Sequence, residues 1–262
     1  MTISLSLKDV DELTMRALTA CNTSGSNAGS VTGSVTGSVT GSVTGSVTGS
    51  VVASEADGIH SHGLARLPTY GEHARCGKID GGAEPVVTKL TPALLPINTR
   101  DGFAHPAIDL GLEVFPALVK SMGAGLVAVT NSYNCGVVGY HVERMAKAGI
   151  VALGFVNAPA SIAPWGGTRA LFGTNPIAWA FPRPSEDPLV LDQSSSVVDK
   201  SEVIGRAQRS ELIPASWGFD NTGQPTTDPQ AVLDGGTMAP SGGYKGAGQA
   251  LYDKLLAYGV AA

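Results

Sequence analysis

The segment DGIHSHGLARLPTY sets two histidines, His60 and His62, beside glycines, with a permanent cation, Arg66, shortly after them. An imidazole with a pKa of about 6.5 gives or takes a proton near neutrality. A guanidinium grips a carboxylate through two parallel hydrogen bonds. A proton-transfer group beside a carboxylate binder suits a 2-oxo or 2-hydroxy acid. The same residues also read as a surface histidine and a turn cap. As metal ligands they form a His-x-His pair with no third ligand nearby, so a metal-dependent hydrolase is the remote alternative and no metal site is assigned.

Three further stretches have chemical potential. In NSYNCGVVGY, Asn131, Ser132 and Asn134 follow an apolar run and open a helical pattern, where amides face an anion or a polar side chain simply caps the helix. Cys135 has no neighbouring His or Asp to activate it and reads as a packed thiol. In LDQSSSVVDKSEV, Asp192 ends a strand pattern ahead of Ser194, Ser195 and Ser196, a cradle for phosphate or ribose oxygens or an ordinary serine-rich turn. In SGGYKGAGQAL the glycines resemble part of a dinucleotide fingerprint. The context is wrong for a Rossmann turn, because no strand precedes them and no acid follows at the required interval. Lys245 beside Gly246 can still bind phosphate through charge and helix-start amides.

Elements must hold these groups in place, and the totals allow them. The chain has 262 residues, 43% hydrophobic and 15% charged, enough for a sizeable core in one large or two smaller domains. A net charge of −5 offers no broad basic face for nucleic acid or an anionic membrane, which leaves a small molecule as the expected partner. Three scattered cysteines suit a reducing compartment, and acids near the N-terminus argue against a signal peptide, so a cytoplasmic location is expected. Residues 8–21 place Val10, Leu13, Ala17 and Leu18 on one helical face. PAIDLGLEVFPALVKSMG reads as a helix despite Pro116, AGLVAVTNS and IVALGFVNA as buried strands, and GVVGYHVERMAKAG as an amphipathic helix. NPIAWAFP and PLVLD are shorter strand patterns. Helical patterns at Val198–Ser210 and in KGAGQALYDKLLAYG follow, the last with Ala250, Leu251 and Leu255 near one face. Alternating helix and strand indicate an α/β fold.

Taken in order, DGIHSHGLARLPTY, NSYNCGVVGY, APWGGTRALFGTNPIAWAFP, LDQSSS, DNTGQPTTDP and GGYKGAG resemble the malate/L-lactate dehydrogenase family of NAD(P)-dependent oxidoreductases. The resemblance runs from about Leu5 to Lys245. It implies a non-Rossmann α/β fold, with a helical domain from the N- and C-terminal segments, a central α/β domain, and a homodimer. It implies His62 as the catalytic acid/base, Arg66 as a carboxylate binder, and His60 and Asn134 as substrate neighbours. Asp192 is implied as a second catalytic group that orients His62 and also as a cofactor contact, together with Asn157, Ser194, Ser195, Ser196, Lys245 and Gly246. The cofactor is NAD or NADP. The substrate is a 2-hydroxy acid such as malate, lactate or sulfolactate, with SYNCGVVGYHVE and DQSSS closest to the sulfolactate-like or malate-like branch.

Three departures bear on that expectation. Where some members use a second histidine, this chain has Asn134, which cannot act as a base. Five copies of Ser-Val-Thr-Gly stand between Ser30 and Ser50 where one is usual, and glycines 33, 37, 41, 45 and 49 argue against a continuous helix there. A surface excursion or poorly formed helix is expected, and deleting four copies is expected to leave activity intact. The family sequence continues beyond the position of Ala262, which raises the alternative of a shortened, catalytically impaired relative. The expected segments are an N-terminal helical one (1–78, with 30–50 inserted), an α/β core (79–213) and a C-terminal one returning to the helical domain (214–262).

Overall fold

Ser6 and Asp9 start the first helix with reciprocal bonds. The Asp9 amide donates to Ser6 Oγ (3.2 Å) and the Ser6 amide to Asp9 Oδ2 (2.8 Å). The computed structural model describes residues 4–21, 43–88 and 91–261. Helix α1 (Leu7–Thr19) buries Val10, Thr14 and Leu18, while Leu13, expected on that face, is exposed. Thr14 enters the core because its hydroxyl donates to the Val10 carbonyl at 2.7 Å and leaves no polar atom unpaired.

The last part of the repeat corrects the expectation made for it. Val43–Ala56 is a regular helix, α2, which includes Gly45 and Gly49. Glycines 33, 37 and 41 lie outside the described residues. Magnitudes explain the outcome. Each helical Gly costs about 1 kcal/mol relative to Ala. Val43, Val47 and Val51 recur every fourth residue and are 6%, 0% and 1% exposed. Burial of each contributes about 1.5–3 kcal/mol. They join Val10, Leu18, Tyr70, Ile79 and Phe103 in one apolar cluster. The small residues between them are mostly buried too, and at Gly49 a Cβ would stand 3.2 Å from the Tyr140 hydroxyl. The composition that disfavours an isolated helix allows close packing on all sides.

After α2 come two 3₁₀ turns, His60–His62 and Leu64–Arg66, and helix α3 (Leu67–Arg75). A small sheet follows: β1 (Val86–Val87) runs antiparallel to β2 (Leu94–Asn98), and β2 parallel to β3 (Leu126–Thr130) in the register Leu94↔Leu126 to Asn98↔Thr130. Helix α4 (Ala104–Met122) makes the crossover and passes through Pro116. Burial of Ala107, Leu110 and Phe115 offsets the roughly 3 kcal/mol that an interior proline costs. Gly123, at φ +82°, ends it. Helix α5 (Val138–Lys147) closes this first compact unit, which runs to Val151 and takes in Pro182–Pro188. Of β3, expected to be a buried strand, only Ala128 is fully buried, and Leu126 lies at the surface.

The second unit holds Ala152–Phe181 and Leu189–Val260. Its sheet has the order β4-β5-β6, with β4 (Ala152–Phe155) antiparallel to β5 (Ile177–Arg183), which turns at Pro184-Ser185 into β6 (Glu186–Gln193). Helix α6 (Lys200–Gln208), β7 (Gly218–Phe219), α7 (Pro229–Leu233), β8 (Thr237–Met238) and α8 (Tyr244–Ala261) complete it. Its core gathers Ile162, Phe172, Val203, Ile213, Val232, Met238 and Ala250. Leu153 of the expected buried strand β4 is exposed. Helix α8 buries Gly246, Ala247, Ala250 and Asp253, whereas Leu251 and Leu255, expected on the buried face, are exposed. Among the described residues no sheet exceeds three strands, so the fold is α/β without a doubly wound parallel sheet.

Candidate active site

Glu55, near the end of α2, builds the turn that carries His62. Its Oε1 accepts from the Leu64 amide at 2.7 Å and its Oε2 from His60 Nδ1 at 2.6 Å. Between these bonds a Cβ on Gly63 would fall 1.9 Å from Glu55 Oε1, so the glycine of SHG is required by the clamp. His60 is thereby committed to Glu55, with most of its ring exposed. Arg66 folds back over the turn, its Nε donating to the Ser61 carbonyl at 2.9 Å and its Nη2 lying 3.4 Å from His62 Nε2. A guanidinium has no acceptor, so His62 Nε2 holds the lone pair. Nδ1 then carries the hydrogen and donates to Ser61 Oγ at 3.0 Å. The geometry turns the Nε2 edge of His62 toward a cation.

Asn134 is fixed from far along the chain. Its Oδ1 accepts from the Tyr70 hydroxyl of α3 (2.6 Å) and from the Gly136 amide (2.8 Å), leaving Nδ2 as a donor. Burial raises the Tyr70 pKa, so the phenol stays protonated and donates. Tyr70, Phe103 and Tyr133 pack edge to face around it at 5.4–5.9 Å. Beneath this loop lie two buried histidines without a sequence signal. His141 Nε2 donates to the Cys135 carbonyl at 2.7 Å, and its ring is 5.7 Å from that of His105. Burial lowers both pKa values, that of His141 to about 4, so both rings are neutral.

The second unit brings together the serines, the Lys245 turn and the neighbourhood of Asn157. The Ser241 amide donates to the Ser195 carbonyl at 2.9 Å, and Ser196 bridges to Pro240. Asn175, which sequence reasoning missed, is the hub. Its Oδ1 accepts from the Ala158 amide (2.9 Å), its Nδ2 donates to the Ala250 carbonyl (2.9 Å), and its own carbonyl faces Ser195 Oγ at 3.1 Å. Its φ is +31° just before a proline, a backbone setting that the sequence does not reveal. The Ser195, Ser196 and Val197 amides already donate within the fold, so the turn offers acceptors more than donors. Asp192 lies exposed at the end of β6 and Asn157 is exposed beyond β4.

Donors for an anion lie elsewhere in this unit. Gly242 and Gly243 have φ of +68° and +65° just before Lys245, and a Cβ on Gly242 would meet nothing within 4 Å, so backbone is open to an approaching group. At Gly246 a Cβ would fall 2.0 Å from the Ser241 carbonyl, which fixes glycine at the helix start. A cavity of about 260 Å³ is lined by Ser161, Arg169, Lys200, Val232, Leu233 and Met238. Lys200 Nζ donates to Ser161 Oγ at 3.0 Å, and among the described residues Arg169 makes no ion pair. Arg169 and Lys200 thus set two cationic side chains beside apolar walls.

Residues 6–261 match the malate/L-lactate dehydrogenase family. The chain belongs to that family. It is 44% identical over 209 residues to the (2R)-3-sulfolactate dehydrogenase (NADP(+)) of Chromohalobacter salexigens, covering 80% of this chain and 62% of that protein. It is 38% identical over 205 residues to a Δ1-pyrroline-2-carboxylate/Δ1-piperideine-2-carboxylate reductase of Pseudomonas putida, covering 78% of this chain and 60% of that protein. The matches thus span about three fifths of the length of these relatives. The crystal structure of Δ1-piperideine-2-carboxylate reductase from Pseudomonas syringae superposes with a TM-score of 0.88 at 32% identity, covering 99% of this chain and 74% of that one. Sulfolactate dehydrogenase from Methanocaldococcus jannaschii superposes with a TM-score of 0.80 at 25% identity, covering 97% and 69%. In this malate/L-lactate dehydrogenase family member, His62 with Arg66, and the serine turn with Lys245 and Gly246, are two local groupings, one in each unit. Glu55 and Asn175 join the expected residues as groups that hold them in place.

Proposed function

We propose that this chain carries the chemistry of an NADP-preferring oxidoreductase acting on a small 2-hydroxy acid of the sulfolactate or malate type. The observation that carries the reading is the lone pair on His62 Nε2, set by the donor-only Arg66 beside it. In the oxidative direction His62 takes the proton of the substrate hydroxyl at Nε2. Arg66 exchanges its weak bond to His62 for the substrate carboxylate, and the positive charge stays close to the developing alkoxide. Asn134 Nδ2 donates to a substrate oxygen, and Tyr70 keeps that amide from flipping. Asp192 is proposed as a second catalytic group and as a cofactor contact, while His60 supports the turn through Glu55.

The nicotinamide cofactor supplies hydride acceptance and donation when bound. Lys245, Gly246 and the preceding glycines are proposed to hold its pyrophosphate, Asn157 and Ser194–Ser196 its ribose hydroxyls, and Arg169 and Lys200 a further phosphate, which favours NADP over NAD. The name of the Chromohalobacter salexigens relative agrees with that choice. The segment division 1–78, 79–213 and 214–262, a homodimer and a cytoplasmic site of action belong to the same proposal. A cyclic imine carboxylate is the second reading, favoured by the names of the reductase relatives and by the same carboxylate binder. The test is NAD(P)H absorbance with sulfolactate, malate, lactate, their oxo acids and Δ1-piperideine-2-carboxylate. Turnover of a hydroxy acid with NADP supports the proposal. Turnover of the imine alone selects the second reading, and no turnover with any substrate points to an impaired relative.

A further inference from the structure

Helix α8 buries a carboxylate that the proposed chemistry does not use. Asp253 is fully buried, and its Oδ2 lies 3.2 Å from Ser195 Oγ. The same hydroxyl lies 3.1 Å from the Asn175 carbonyl. A serine hydroxyl has one hydrogen, and a carbonyl never donates, so Ser195 can give a full two-centre bond to only one of these two acceptors and otherwise shares its hydrogen between them. Both contacts become full two-centre bonds when Asp253 holds a proton and donates it to Ser195 Oγ, while Ser195 donates to Asn175. The rest of the surroundings agree. Asp253 Oδ1 has no hydrogen-bond partner, a heavy burden for an ion and a light one for a neutral acid. The Ser195 hydroxyl, and Gln249 one turn earlier, each ease ionisation, although Gln249 Nε2 reaches no acceptor. Burial dominates and raises the Asp253 pKa. The groups facing Asp253 are therefore Ser195 from the turn after β6 and Gln249 from its own helix, neither charged. The neighbouring Lys254 sends its Nζ to the Leu171 carbonyl at 3.3 Å.

We infer that Asp253 is a positioning residue, kept as a neutral carboxylic acid that locks Ser195 onto Asn175 and so fixes the Ser194–Ser196 turn for the cofactor. Ionisation reverses the lock: the carboxylate becomes an acceptor and draws the Ser195 hydrogen away from Asn175. Because Asn175 also holds the Ala158 amide and α8, the disturbance reaches the backbone beside Asn157. The sign follows from linkage. A folded-state pKa above the unfolded value means that stability and turn geometry are intact at low pH and are lost as pH rises through the folded pKa.

This inference rests on the reading that Ser194–Ser196 contact the cofactor, and two measurements separate the two ideas. The first is a pH titration of the Asp253 carboxyl carbon by NMR in the full chain labelled with 13C-aspartate, with Asp253→Asn identifying the resonance. A titration clearly above the ordinary aspartate value is expected; one at or below it overturns the inference, whatever the cofactor does. The second is NADPH affinity by fluorescence across the same pH range. The parent should lose at least several-fold in affinity as Asp253 ionises. Asp253→Asn, whose amide still donates to Ser195, should keep the low-pH affinity throughout. A raised titration with pH-independent NADPH affinity, or an unchanged pH profile in Asp253→Asn, overturns the positioning role. A raised titration with no NADPH binding at any pH rejects both the cofactor reading and the positioning role built on it, leaving only the neutral acid.

Discussion

At His62 the residue type permits either direction of proton transfer, and a neighbour selects one. Arg66 can only donate toward Nε2, and Ser61 Oγ, which can donate or accept, takes the hydrogen that this leaves on Nδ1. Replacing His62 by Gln is expected to lower kcat by about 10²–10⁴-fold, the usual share of a general acid/base, with cofactor affinity unchanged, as initial rates and a fluorescence titration would show. Arg66→Lys keeps the charge but loses the planar fork. The expected result is a KM raised by roughly tenfold or more, about the loss of one charge-assisted bond, with kcat affected less. An equal fall in kcat and no change in KM would remove Arg66 from carboxylate binding. Asn134 has no basic nitrogen, and its proposed part is that of an oriented donor, with its Oδ1 clamped by Tyr70.

The elements place these groups by burying surface that looks unpromising. Helix α2 is made partly of a repeat, and it ends in Glu55, which holds the SHG turn through two bonds. The described part of the repeat begins at Val43, so a deletion of residues 30–41 keeps every buried position of α2. Removing a fourth copy substitutes Asn27 for Val43, a buried position. The shorter deletion is expected to leave the unfolding free energy unchanged. The longer one should lower it by about 1–3 kcal/mol, as for other core losses, and urea denaturation of the two variants would tell. Helices α4 and α5 carry the second element-scale expectation, through His105 and His141. A histidine pKa lowered in the fold to about 4 contributes stability that is complete above the unfolded value and lost as pH falls from about 6.5 toward 4. The loss from His141 reaches up to about 3 kcal/mol. His141→Asn should flatten the acid limb of melting temperature against pH relative to the parent; parallel limbs would show that His141 does not titrate on unfolding.

For the molecule as a whole, each compact unit has its own core and its own chemical grouping. The proposed cofactor contacts lie at Asn157, Arg169, Asp192–Ser196, Lys200 and Lys245-Gly246, all within the second unit. Saturating NADP is therefore expected to slow amide exchange chiefly in 152–181 and 189–260. At a hundred times its Kd it should stabilise the fold by about 2.7 kcal/mol. Hydrogen exchange with mass spectrometry measures the first effect and thermal shift the second. Protection confined to residues 43–151 would displace the cofactor assignment. Among the described residues no helix is long and apolar enough to cross a membrane.

Periodicity and motif order made the α/β class, the long helices and the order of the chemical segments legible, because those follow from local spacing and from residue types that chemistry demands. That Arg66 lies beside His62 was readable for the same reason. What the sequence alone decided wrongly or left open depends on partners distant along the chain. Glycine and threonine disfavour a helix in isolation, yet Val43–Ser50 is helical because neighbouring elements bury it. Leu13, Leu251 and Leu255 suit a buried stripe by spacing, yet Thr14, Ala247, Ala250 and Asp253 take it, since the surfaces each helix meets select its inward face. Nothing local marks Asn175 as a hub or Asp253 as a buried acid. Only the tertiary structure brings the Ser195 hydroxyl between the Asn175 carbonyl and the buried Asp253, because the three come from segments far apart along the chain.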